Sequence, residues 1–317
     1  MTFSLRFSSL FLIVAAAGAI AQSDEYNYRL TPEIIADGVY VFIGKTEDFS
    51  WKNGGNVVNT GFVVTNAGVV VIDTGPSKRY GEQMRAAIKK ITPQPIVKVF
   101  NTHHHPDHIF GNQAYADVGV SALAQTIIGE KTEGGALADN MYRMNGEWMR
   151  DTDLSVASKS IEQSTKFTLG ERSFSLHALS GHTGGDLAVM DESSGVIFSG
   201  DLIFNQRAAT TPHADIPRWI QAIDYIDNLS YKKLIPGHGP VITDHHAVKQ
   251  MREYLVWLSG HLKSSAEQGA DMTDVLSAKL PAMFAAVPMA REEYQRSVVH
   301  LYPKLEQAVL AKAAATK

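Results

Sequence analysis

The chain has 317 residues, with 33 acidic against 29 basic side chains, 12 histidines and no cysteine. A formal charge of −4 without a basic run excludes the footprint of a nucleic-acid binder, and the missing cysteine excludes disulfides and a thiolate nucleophile. The length suits one large domain or two small ones with a substantial core.

Residues 1–21 read as a secretory signal peptide. Arg6 gives a positive start, Leu10–Ile20 is an apolar run too short to span a bilayer, and Ala19-Ile20-Ala21 has the small-x-small form of a cleavage site. The mature chain from residue 22, its charge near −5 once Arg6 is removed, is expected in a bacterial periplasm without a membrane anchor. Val39–Ile43 reads as a strand after the Asp37-Gly38 turn. Val57–Val64 and Val69–Ile72 read as two more, with Asn66-Ala67-Gly68 turning between them. Phe49–Asn56, an aromatic stretch before a glycine pair, is either a flap over a pocket or a surface turn with Trp51 on the domain edge. Tyr80–Ile91 places Met84, Ala87, Ile88 and Ile91 at helical spacing, and Pro93 and Pro95 end it. Ile96–Phe100 is a buried strand that delivers Thr102-His103-His104-His105-Pro106-Asp107-His108 at its carboxyl end, where an α/β sheet carries its sites.

Ala122–Met149 is helical and irregular and forms one wall of the pocket, and Arg150–Thr168 is extended and exposed. The loop after Asp201 carries Arg207 and His213, which either bind an anionic or carbonyl group or are a surface charge and a turn residue. Ile216–Leu229 is an amphipathic helix. Beyond Val241 the chain is helical, over His245–Ser259, Asp271–Phe284 and Arg291–Ala311, with Pro281, Pro288 and Pro303 interrupting or bending it. His104, His177, His245, His246, His261 and His300 are read as lying outside any metal site.

His103, His105, Asp107 and His108 each offer a lone pair to a divalent metal. Residues two apart on an extended segment point the same way, so His103 and His105 can grip one ion. Asp107 and His108 follow Pro106, where the backbone turns, and aim at a second point nearby. Two ions about 3.5–4 Å apart sharing a water is the arrangement of two-metal hydrolases. Three later segments supply further ligands beside glycine: Gly181-His182-Thr183-Gly184-Gly185-Asp186, Ser199-Gly200-Asp201 and Pro236-Gly237-His238-Gly239. They are preceded by Ser173–Leu179, Gly195–Ser199 and Lys233–Pro236, so strand-end loops hold the site.

His-x-His-x-Asp-His, followed by single His, Asp and His in that order, resembles the metallo-β-lactamase-fold superfamily over roughly residues 38–244. The resemblance implies an α/β fold, a four-layer αββα sandwich spanning residues 22–244, with residues 245–317 as a C-terminal helical extension packed on the same domain. It implies two zinc ions, with iron or manganese left open. His103, His105 and His182 would hold the first, Asp107, His108 and His238 the second, and Asp201 would bridge them. It implies that Asp73 orients the metal-binding loop, the alternative being a plain turn aspartate. A water between the ions would attack the ester, thioester, lactone or lactam carbonyl of a small-molecule substrate, with Asp107 or Asp201 taking the proton.

Within the family, the Ser-Gly-Asp context of Asp201 is similar to glyoxalase-II-like thioester hydrolases. β-Lactamases that use a cysteine ligand are excluded, and antibiotic hydrolysis is the minority reading. The run Gly54-Gly55-Asn56…Ile72-Asp73-Thr74-Gly75-Pro76-Ser77…Tyr80-Gly81-Glu82-Gln83, with Phe110-Gly111-Asn112-Gln113, resembles exported zinc hydrolases associated with quinoprotein alcohol dehydrogenases. That implies a role accessory to periplasmic alcohol oxidation. Two rivals are an iron-dependent oxidoreductase on the same fold and a non-catalytic periplasmic binding protein. Against one branch of the first, His104 stands where flavodiiron proteins carry an acidic residue.

Overall fold

The structure, a computed structural model, describes residues 25–315; the stretch read as a signal peptide lies outside them. Among the described residues, two sheets form the middle layers. The first runs in chain order: β1 (Glu33–Ala36), β2 (Val39–Phe42), β3 (Thr60–Thr65), β4 (Gly68–Ile72), β5 (Ile96–Phe100), β6 (Val120–Leu123) and β7 (Lys159–Ile161). β1 to β4 are antiparallel hairpins, and β4 to β7 are parallel. A parallel neighbour needs a crossover, and α1 (Lys78–Ile91) supplies it between β4 and β5. Ser77 caps this helix, its Oγ accepting the Tyr80 N–H at 3.1 Å.

The second sheet has the order β12-β11-β10-β9-β8, built from β8 (Thr165–Leu169), β9 (Arg172–Leu179), β10 (Asp186–Asp191), β11 (Val196–Phe204) and β12 (Lys233–His238). All pairs are antiparallel except β11 with β12, which α4 (Ile216–Asp227) connects.

Alternation along the strands sorts side chains into layers. In β4, Val69 and Val71 pack on the α1 side with Tyr80, Met84 and Ile88, while Val70 and Ile72 enter the core between the sheets. In β10, Leu187 and Val189 enter that same core, and Ala188 and Met190 face the opposite helices. Strands buried on both faces read as near-continuous apolar runs. The result is the expected four-layer αββα arrangement. The C-terminal helices α5 (His246–Glu267), α6 (Met272–Ser277), α7 (Ala282–Ala285) and α8 (Ala290–Ala315) join the outer layer of the second sheet. There Leu255, Leu258, Tyr294 and Val298 share one cluster with Trp219 and Ile223 of α4. Among the described residues no helix is long and apolar enough to cross a membrane.

Several strands differ from their expected bounds: β3 begins at Thr60 rather than Val57, and β12 runs on to His238 rather than ending at Pro236. β11 does not stop before Ser199-Gly200-Asp201 but continues to Phe204. Gly200 adopts φ +52° and the pairing with β12 shifts there, so a left-handed glycine takes up the irregularity while the strand goes on. A side chain at this position would also meet the Thr102 Cβ at 2.6 Å.

Candidate metal centre

The expected ligands converge at the carboxyl ends of strands from both sheets. After β5 the segment Asn101–His105 crosses the sheet edge, and α2 (Pro106–Ile109) starts with proline at its first turn, where the missing N–H costs nothing. His182 follows β9, Asp201 lies within β11 and His238 ends β12. His103, His105, Asp107, His108, His182, Asp201 and His238 are all buried, none more than 7% exposed.

Asp201 stands between two groups. Its Oδ2 lies 3.4 Å from His182 Nε2, 3.8 Å from His103 Nε2 and 3.3 Å from His238 Nε2, and its Oδ1 lies 3.1 Å from His108 Nε2. Asp107 Oδ2 is 3.3 Å from His238 Nε2 and 3.7 Å from His108 Nε2. Donor atoms of His103, His105, His182 and Asp201 lie within 4.8 Å of one another, and so do those of Asp107, His108 and His238.

These residues fit metal ions. Ligands bound tetrahedrally at about 2.0–2.2 Å from one ion are about 3.3–3.6 Å apart, close to the spacings seen here and longer than most hydrogen bonds. Among the described residues His103 Nε2, His108 Nε2 and Asp201 Oδ1, all facing the site, make no hydrogen bond although buried. Such orphans are costly unless a further partner satisfies them. His105 Nδ1 and His182 Nε2 face each other at 2.9 Å, where a shared cation would serve both lone pairs.

Outer partners set the tautomers. Asp73 accepts the Thr102 N–H, the Thr102 hydroxyl and the His108 Nδ1–H, each at 2.8 Å, which leaves His108 Nε2 free for the site. Asp73 thus orients the loop, and it does so from φ +57°, a left-handed conformation that aspartate tolerates better than most residues. His238 Nδ1 donates to the Val57 carbonyl at 2.8 Å. Asp186 accepts both the His182 and Thr183 N–H groups at 3.0 Å and holds the His182 loop. Asn59 clamps the end of β12, donating to the carbonyls of Pro236 at 2.8 Å and Gly239 at 2.7 Å. Gly237 leaves room for the bridging position, since a Cβ there would fall 1.9 Å from Asp201 Oδ1.

Burial holds His103, His105 and His182 below the ordinary imidazole range, so they are neutral lone-pair donors. Burial also raises Asp107, against the pull of His108 and His238. For Asp201 burial acts upward too, but the imidazoles of His238, His108 and His103 overcome it and hold the carboxyl well below its usual value.

Asp107, Asp201 and His238 floor a cavity of about 320 Å³. Leu137, Asn140 and Met144 of α3 (Ala124–Asn145) form one wall, as expected of this stretch, and Phe49 covers another side. Trp51 is neither at the cavity nor packed on the domain edge: its side chain is 70% exposed, and its carbonyl accepts the Trp148 indole at 2.8 Å. Arg207 lines the cavity but is committed elsewhere. Its guanidinium is 3.2 Å from Glu293 of α8, which also takes Arg296 at 2.9 Å. Arg296 in turn pairs with Asp48 at 2.8 Å, tying the loop before β3 to the last helix. His213 turns toward His105, with Nδ1 2.8 Å from His105 Nε2. The sequence reading gave no role to Thr102, Asp186 and Asn59, although Thr102 and Asp186 belong to motifs already singled out. It also set aside His104, which is buried beside the site, 3.6 Å from Glu133.

Known proteins bear on this geometry. The sequence profile described as the Metallo-beta-lactamase superfamily matches residues 53–238. A Streptococcus pyogenes protein named "Probable metallo-hydrolase" is 25% identical over 196 residues, 59% of this chain and 82% of that protein. An acyl-coenzyme A thioesterase of Gallus gallus is 26% identical over 46% of this chain and 57% of its own. A solved metallo-β-lactamase from Pontibacter korlensis superposes with a TM-score of 0.58 at 23% identity, over 72% of this chain and 99% of that one, a likeness of fold.

Proposed function

The chain belongs to the metallo-β-lactamase superfamily and is a metal-dependent hydrolase, and from that premise we propose an exported enzyme that holds two zinc ions and cleaves a small ester, thioester or lactone. His103, His105 and His182 would hold one ion and Asp107, His108 and His238 the other, with Asp201 placed between the two groups. The observation that carries this reading is the Asp201 carboxylate within 3.8 Å of a histidine nitrogen from each group on both sides. Bound zinc supplies a water that ionises near neutral pH and a Lewis acid for the oxygen of the scissile carbonyl.

The chain's own residues do the rest. Asp201, held ionised beside the imidazoles of His238, His108 and His103, offers its carboxylate to both metal positions. Asp107, burial-raised and on the cavity floor, is the carboxylate placed to hold a proton. Phe49, Leu137 and Met144 offer apolar contact to an acyl chain and exclude water. The relative named as a thioesterase supports a thioester first among the substrates. Export rests on the pattern of residues 1–21. A role beside a quinoprotein alcohol dehydrogenase rests on the likeness of Gly54–Asn56, Ile72–Ser77, Tyr80–Gln83 and Phe110–Gln113 alone.

The test is a panel of an acyl thioester, a lactone, a simple ester and a β-lactam, offered to the zinc-loaded protein. Thioester or lactone turnover that disappears with a chelator supports the proposal. Turnover of the β-lactam alone, or of none, overturns its substrate class.

A further inference from the structure

We propose that His213 and Glu133 form an outer hydrogen-bonded chain that fixes the tautomer and orientation of His105; the inference rests on His105 being a ligand, as read above. His105 uses its two nitrogens in opposite directions. Nδ1 faces His182 inside the site at 2.9 Å, and Nε2 points away, 2.8 Å from His213 Nδ1. His213 Nε2 lies 2.8 Å from Glu133 Oε2 on α3.

The hydrogens follow from the far end. A carboxylate oxygen accepts, so the His213 tautomer that fits Glu133 carries its hydrogen on Nε2 and leaves Nδ1 as an acceptor. His105 Nε2 must then be the donor, which leaves the His105 Nδ1 lone pair for a metal. Outer partners of this kind fix ring orientation and raise the basicity of the ligand. A second histidine is interposed here between ligand and carboxylate, and it comes from the β11–α4 loop, so this loop acts on the metal side of the pocket. His104 flanks the chain, with Nε2 3.6 Å from the same Glu133 oxygen. His213 and Glu133 are positioning residues, since each acts through His105.

The experiment compares wild type, His213→Ala, His213→Gln and Glu133→Gln by zinc competition against a chromophoric chelator. Proton–nitrogen NMR of the histidine rings in the zinc-loaded protein accompanies it. The expected result for His213→Ala is a roughly 10–100-fold weaker first zinc ion, with the second held as before. The His105 Nε2–H resonance is lost in the same variant. His213→Gln, whose carbonyl still accepts, restores most of the affinity, and Glu133→Gln falls between. Side chains 33% and 40% exposed leave the metal-free melting temperature at the wild-type value. Unchanged affinity in His213→Ala, or equal loss of both ions without rescue by glutamine, overturns the inference. A wild-type protein that takes up no zinc overturns the parent reading instead.

Discussion

Asp73→Asn tests the logic of the site with the smallest change of shape. The side chain is 1% exposed and sits at φ +57°, a conformation asparagine also accepts. The carboxylate receives three hydrogen bonds at 2.8 Å: the Thr102 N–H on Oδ1, and the Thr102 hydroxyl and His108 Nδ1–H on Oδ2. An amide has one acceptor oxygen and two N–H donors. If its oxygen stays on the Thr102 N–H, the amide nitrogen faces His108 Nδ1, and that nitrogen must become an acceptor. The ring hydrogen then moves to Nε2, the atom that faces Asp201 at 3.1 Å and would ligate the second ion. The reverse orientation sets the amide N–H against the Thr102 N–H. Losing one hydrogen bond to a charged group is worth about 1.5–3 kcal/mol. That corresponds to roughly 10–100-fold in metal affinity, the range found for outer-shell partners. The assay is chelator competition resolved into two binding steps. The second ion should weaken by that factor while the first stays within about threefold. Wild-type affinity for both ions would refute the tautomer argument.

Asp201→Ala should cut hydrolysis by more than the roughly 10–100-fold typical of an outer partner, with the far-ultraviolet circular dichroism unchanged, because it removes the group facing four histidines. Full activity in that variant would contradict a shared carboxylate. Away from the site, Glu130 is fully buried, with Oε1 unpartnered among the described residues, and burial pushes its carboxyl up to about 7. A carboxyl raised in the folded state costs nothing below its unfolded pKa and destabilises progressively as the pH climbs through the folded value. Glu130→Gln should therefore leave urea unfolding unchanged near pH 4 and stabilise by up to about 3 kcal/mol above pH 7. A pH-independent difference would show that burial does not penalise this charge.

Much of this was legible in the sequence, for physical reasons. His182, Asp201 and His238 sit next to glycines, and His103–His108 follow the apolar run Ile96–Phe100, so candidate ligands stood out locally, while their assignment to two metal positions came from the family resemblance. Val69–Ile72 reads as a strand because both its faces are buried. The outer partners were harder. Asp73 and His108 are 35 residues apart and Asn59 and Pro236 are 177 apart, and no local periodicity records such pairs. Arg207 was left between a substrate contact and a surface charge and is neither free nor exposed, because its partner Glu293 lies 86 residues later on a helix whose placement depends on the whole second core. His213 was left between a substrate contact and a turn residue for the same reason, since a loop residue's direction is set by what packs against it. The continuation of β11 through Gly200 was missed because a left-handed glycine inside a strand looks, in sequence, like a strand end.

The central claim is two metals acting together across Asp201, and stoichiometric reconstitution tests it most directly. Metal-free protein is titrated with zinc while bound metal and thioester or lactone hydrolysis are followed in the same samples. Activity should stay low through the first equivalent, rise steeply over the second and level off once two ions are bound. Full activity at one equivalent, or binding that saturates at one, would contradict it.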